Sequence, residues 1–183
     1  MSNKALIVID YTIDFVADDG NLTCGKPAQD IEQTIVQLTK TFIENDDNVV
    51  FAVDVHDLDD PFHPETKLFP PHNIRHTNGR NLYGGLNDLF IQSKNLSNVH
   101  WMDKTRYSAF AGTDLEIKLK ERGINELHLI GVCTDICVLH TAIDAYNKGY
   151  KIVIHRRAVA SFDATGHEWA LSHFKNTLGA EIR

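Results

Sequence analysis

Ala5-Leu6-Ile7-Val8-Ile9 is an unbroken apolar run of strand length. A strand of this kind has no wet face, so it must be covered on both sides, as strands are in a parallel sheet packed between helices. Similar runs return at Val49-Val50-Phe51-Ala52-Val53, at Leu127-His128-Leu129-Ile130-Gly131-Val132 and at Lys151-Ile152-Val153-Ile154. A shorter, more mixed version lies at Asn98-Val99-His100-Trp101-Met102, and Ala180-Glu181-Ile182 reads as a short edge strand.

Helical patterns fill the gaps. Pro27 opens one, with Ile31, Ile35, Leu38 and Phe42 at intervals of four, three and four. Thr113-Asp114-Leu115-Glu116 has the form of a capping box and leads to a helix closed by Gly123. Residues from Thr134 through Leu139, Ile143 and Tyr146 to Gly149 carry helical spacing. Thr165-Gly166-His167-Glu168 is a second capping box, opening a helix with Trp169, Leu171 and Phe174 that ends near Gly179. Strands alternating with helices predict an α/β fold: a three-layer, doubly wound, mostly parallel sheet of about five to six strands with helices on both faces.

A chain of 183 residues with 43% hydrophobic and 23% charged residues suits one domain, here expected over 1–183, with no linker or repeat. Its longest apolar runs are strand-length and its start lacks the long apolar stretch of a secretory signal, so no membrane association is expected and the cytoplasm is the expected compartment. A net charge of −7 argues against a nucleic-acid partner, and the one compact basic cluster, His155-Arg156-Arg157, reads as a solvated strand end. Three cysteines, an odd number, point to free thiols in a reducing compartment. Cys133 and Cys137 are one residue too far apart for the C-x-x-C redox spacing.

In such sheets ligands bind beyond the carboxyl ends of the strands, so residues just past each run are site candidates. Asp10 follows the first run and Lys104 the third, and Cys137 falls in the first turn of the helix after the fourth. Unpaired N–H groups at a helix start favour an anion and lower a thiol's pKa, which makes Cys137 a candidate nucleophile. Asp54 and His56, at i and i+2, point the same way. The stretch from Asp57 to Gly85 lacks periodicity and carries His63, Glu65, His72 and His76 among prolines and glycines, which reads as a structured metal loop serving Asp54, His56 and His72.

Asp10 with Asp14-Phe15, Lys104 with Ser108-Ala109-Phe110, and Gly131-Val132-Cys133-Thr134-Asp135-Ile136-Cys137-Val138 resemble the motifs of the isochorismatase-like cysteine hydrolases, in the same order and over nearly the whole chain. With Asp54-Val55-His56 and His72, the pattern is most similar to the nicotinamidase branch. One departure is Thr12, where many relatives carry glutamine. The resemblance implies a cytoplasmic amidohydrolase of NAD salvage that converts nicotinamide to nicotinate and ammonia. Its catalytic residues would be Asp10, Lys104 and Cys137, with an oxyanion held by the N–H groups of Cys133 and Cys137 after a cis Val132–Cys133 peptide. It also implies one divalent ion on Asp54, His56, Glu65 and His72, with His63 the rival to Glu65. The ion expected is Zn²⁺, with Mn²⁺ and Fe²⁺ as alternatives. Phe15, Tyr107, Val132 and Cys133 are the expected substrate contacts, and a homo-oligomer is compatible with the family. Two other readings stay open: a sibling hydrolase of acyclic amides or ureido compounds, and a non-catalytic metal-binding or thiol-sensing protein on the same sheet.

Overall fold

The computed structural model describes residues 3–183. Six strands form one sheet in the order β3-β2-β1-β4-β5-β6: β1 Lys4–Ile9, β2 Asn48–Asp54, β3 Val99–Lys104, β4 Glu126–Val132, β5 Lys151–Ala160 and β6 Glu181–Ile182. Every pairing is parallel. Residues 5–9 are buried on both faces, as an unbroken apolar run requires.

One face carries the short α1 (Ile13–Val16) and α2 (Lys26–Gln29), then α3 (Glu32–Glu44) and α4 (Gly85–Ser93). Ile35 and Phe42 of α3 and Leu86 of α4 pack there against Leu6, Val8, Val49 and Phe51. The other face carries α5 (Leu115–Glu121), α6 (Leu139–Asn147) and α7 (Ala164–Asn176). Leu119, Ala142 and Phe174 pack there against Ile7, Ile9, Leu127 and Leu129. The chain steps outward from β1 to β3 and then returns across it to β4. The carboxyl ends of β1 and β4 therefore flank a topological switch point, where such sheets open a crevice. Gly131, paired with Ile9 across that point, holds φ +117°, and a Cβ on it would lie 1.9 Å from the Ile9 carbonyl oxygen.

Several local expectations differ from the structure. The helix read from Pro27 breaks at Asp30, leaving α2 and α3 separate. Helix α4 carries no cap in its own sequence; Glu32 of α3 accepts from the Gly85 N–H at 2.8 Å and supplies one. Neither expected capping box forms. Asp163 caps α7 by accepting from the Thr165 N–H, while Glu168 pairs with Arg156; Glu116 turns to Lys120 and Lys148. The His155-Arg156-Arg157 cluster lies inside β5 rather than at its end, where the pairing with β4 shifts register between Leu129 and Gly131.

Candidate active site

Asp10 stands directly after β1 with φ +54°, a left-handed conformation that aspartate tolerates better than most residues. Its side chain is fully buried. Oδ1 accepts from the Asp54 N–H at 2.8 Å, and Oδ2 lies 2.7 Å from Lys104 Nζ. Lys104 ends β3 and is 1% exposed; its ammonium also donates to the Arg106 carbonyl at 3.1 Å and lies 3.4 Å from Asp54 Oδ1 and 3.8 Å from Cys137 Sγ. Acid, amine and thiol, from three separate strand ends, meet here.

The peptide between Val132 and Cys133 is cis, and Thr134–Val138 forms one π-helical turn leading into α6. The N–H groups of Ile136 and Val138 both donate to the Cys133 carbonyl, each at 3.1 Å. Thr141 donates to the Cys137 carbonyl and accepts from the Ala109 N–H, tying the nucleophile's turn to the Ser108-Ala109-Phe110 segment.

Burial pushes the Asp10 carboxyl up to about 6, against the pull of Lys104 and with the help of Asp54. Burial alone would lower the Lys104 ammonium, but Asp10, Asp54 and Cys137 hold it well above its ordinary value. The Cys137 thiol is pushed up, first by burial and then by the two carboxylates, although Lys104 opposes this. Burial and the two carboxylates thus push this thiol in the direction opposite to that expected of a helix start.

A second cluster adjoins the first through Asp54. One ligand-type atom from each of Asp54, His56, Glu65 and His72 lies within 4.8 Å of all the others, and all four residues are buried. His56 Nε2 is 2.7 Å from Asp54 Oδ2. His72 Nδ1 donates to the Pro70 carbonyl at 2.8 Å, while Nε2 is buried with no hydrogen-bond partner, 3.7 Å from Asp54 Oδ2 and 3.6 Å from Glu65 Oε2. Burial would lower this imidazole, yet the two carboxylates raise it to about 10, so the cluster calls for positive charge at its centre. An orphaned imidazole nitrogen facing two carboxylates and a second imidazole fits a divalent cation of borderline softness.

Glu65, and not His63, has a ligand-type atom within the four-residue cluster. His63 Nε2 donates to the Thr105 carbonyl at 2.7 Å and Nδ1 accepts from the Glu65 N–H, so the imidazole caps the 3-10 turn Pro64–Lys67 that presents Glu65. His76 is exposed and outside the cluster. Asp14 Oδ2 accepts from the Asn73 N–H at 2.7 Å and so holds the segment next to His72. Thr12 is fully buried and donates to Asn73 Oδ1.

A small cavity that reaches both clusters, through Cys137 and Glu65, is lined by Phe15, Leu22, Glu65, Phe69, Tyr107, Cys133, Ile136, Cys137 and Phe162. Phe15, Tyr107 and Cys133 are where the sequence puts them. Val132 is not: it is fully buried among Val8, Phe51 and Ala158 and contributes no wall, because it is still the last residue of β4. Leu22, Phe69 and Phe162 come from aperiodic segments that only tertiary contacts bring to the cavity, and Ile136 comes from the turn that carries Cys137.

The model of the isochorismatase domain matches residues 4–183. The chain belongs to the isochorismatase family. It is 66% identical over 179 residues to the uncharacterized isochorismatase family protein PncA of Bacillus subtilis, covering 98% of both chains. The crystal structure of nicotinamidase/pyrazinamidase PncA from Bacillus subtilis superposes with a TM-score of 0.98 at 68% identity, over 99% of each chain. Pyrazinamidase of Pyrococcus horikoshii in complex with zinc matches at 25% identity and a TM-score of 0.85, covering 100% of this chain and 99% of that one. Within the family the chain falls in the nicotinamidase branch.

Proposed function

We propose that this hydrolase is a nicotinamidase, converting nicotinamide to nicotinate and ammonia through a thioester on Cys137, with Asp54, His56, Glu65 and His72 holding one divalent ion. The observation that carries this reading is that Cys137, 3.8 Å from the Lys104 ammonium that pairs with Asp10 at 2.7 Å, lines the same cavity as Glu65 of the four-residue cluster.

Asp10 takes the Cys137 proton as sulfur attacks the amide carbon, and Lys104 stabilises the carboxylate before transfer and the thiolate after it. The family resemblance assigns the oxyanion to the N–H groups of Cys133 and Cys137, while those of Ile136 and Val138 donate to the Cys133 carbonyl. Each donor of this kind is worth about 3 to 4 kcal/mol in other hydrolases. Asp10 then hands its proton to the departing ammonia and draws one from the water that cleaves the thioester. Asp54, His56, Glu65 and His72 would hold a divalent ion, zinc by the character of these ligands, and the ion would supply a Lewis-acidic point of attachment for orienting the pyridine ring. Phe15 and Tyr107 pack on that ring, and Phe69 and Phe162 narrow the mouth.

Ammonia release from nicotinamide, measured with metal analysis on the same sample, tests the reading. The expected result is turnover by the wild type, at most about 10⁻³ of it in Cys137→Ala, and one equivalent of divalent metal. No ammonia from nicotinamide, or equal rates in both proteins, overturns it. Chelation that abolishes turnover of nicotinamide but spares an acyclic amide or ureido substrate transfers the assignment to the sibling hydrolases.

A further inference from the structure

The mechanism uses one of the three thiols and leaves two that touch. Cys24 Sγ and Cys133 Sγ, 109 positions apart in the sequence, are 3.0 Å from each other, both buried. Cys137, whose spacing from Cys133 already departs from C-x-x-C, faces Lys104 and Asp10 instead. Cys133 lines the cavity and Cys24 does not. Cys24 in turn donates its N–H to the carbonyl of Phe15, another cavity wall, at 2.9 Å. A covalent link between these sulfurs would join two walls of the cavity and draw the Cys133 sulfur out of it.

We propose that Cys24 and Cys133 form an oxidation site, closing to a disulfide in response to a peroxide or a small-molecule disulfide and thereby weakening ligand binding in the cavity. Both S–H bonds break and one S–S bond forms. The two electrons and two protons pass to the oxidant, reducing a peroxide to two waters or a small disulfide to two thiols. Cys137 takes no part, which separates this site from the catalytic sulfur. The hydrogen bond with Cys24 and burial push the Cys133 thiol up, so closure is slow at neutral pH and faster in mild alkali.

The test uses Cys137→Ala, which leaves Cys24 and Cys133 as the only thiols in the chain. Diamide at mildly alkaline pH accepts the same two hydrogens. The expected result is a monomer lighter by about 2 Da that no longer reacts with iodoacetamide. Its melting midpoint rises by about 5 °C or more because a long loop is closed. Nicotinamide affinity falls at least threefold, by about 0.65 kcal/mol. Dithiothreitol reverses all three changes, and Cys24→Ala in the same background shows none of them. Two thiols still alkylated after oxidation overturn the proposal, as does a disulfide form that binds nicotinamide as tightly as the dithiol. The nicotinamide arm rests on the proposed function. If the reduced variant binds no nicotinamide, that reading fails, and the mass and melting measurements still decide the thiol pair.

Discussion

His63 stands beside the cluster residues in the sequence but serves a different purpose from them. Both ring nitrogens are occupied, one by the Thr105 carbonyl and one by the Glu65 N–H, so it orients a ligand without being one. Partners of this kind are typically worth 10- to 100-fold in metal affinity. His63→Ala is therefore expected to weaken metal binding about 10- to 100-fold in a chelator competition, with the metal-free protein melting within a few degrees of wild type. An unchanged affinity would show that Glu65 is held by the turn alone. Asp10, Lys104, Cys137 and the four cluster residues were legible in the sequence because each sits just past an apolar run or in one His-rich loop. The thiol's protonation was not legible, because desolvation depends on what the fold stacks around the sulfur.

Strands β1 and β4 approach most closely where Gly131 faces Ile9. Gly131→Ala puts a methyl into the Ile9 carbonyl and forces alanine to φ +117°, so a loss of about 3 kcal/mol or more is expected in urea melts, with activity lost in parallel. Strands β4 and β5 also share a histidine pair, His128 Nδ1 to His155 Nε2 at 2.8 Å, with rings stacked. Glu126, itself bound by Lys151, holds His128 Nε2; Phe42 packs on the His128 ring, and Lys4, Glu181 and Arg183 complete the charged surroundings. Burial, with His128 and Arg183 adding to it, lowers His155 to about 4, and His128 is lowered too. The unfolded chain thus binds more protons than the folded one between about pH 6.5 and 4. The contribution of this histidine pair to stability is full above pH 6.5 and falls as pH drops through that window. His155→Gln should show a smaller drop in melting midpoint from pH 7 to pH 5 than wild type; an equal drop would assign the acid sensitivity to other groups. Helix α4 escaped the sequence because its cap, Glu32, lies on another helix.

At the scale of the whole molecule, the β3-β2-β1-β4 order brings carboxyl ends from distant parts of the chain to one crevice. Asp54 joins the two halves of the site: its backbone N–H donates to Asp10, its Oδ1 faces Lys104 and its Oδ2 lies against His56. A divalent ion bound at about 100 times its Kd adds about 2.7 kcal/mol to the folded state. Chelation by EDTA should therefore lower the melting midpoint by about 5 to 10 °C, with zinc restoring it. A midpoint indifferent to both would leave the cluster without a resident metal. The alternation of apolar runs and helical stripes, and the reactive residues at run ends, are properties of neighbouring residues, so the sequence by itself determined the layered sheet and the candidate acid, amine and thiol. Which histidine ligates and which caps, which cysteines touch, and which aperiodic residues wall the cavity depend on contacts between segments far apart in the chain. The tertiary structure decided them, because only the winding of strands around β1 sets those distances.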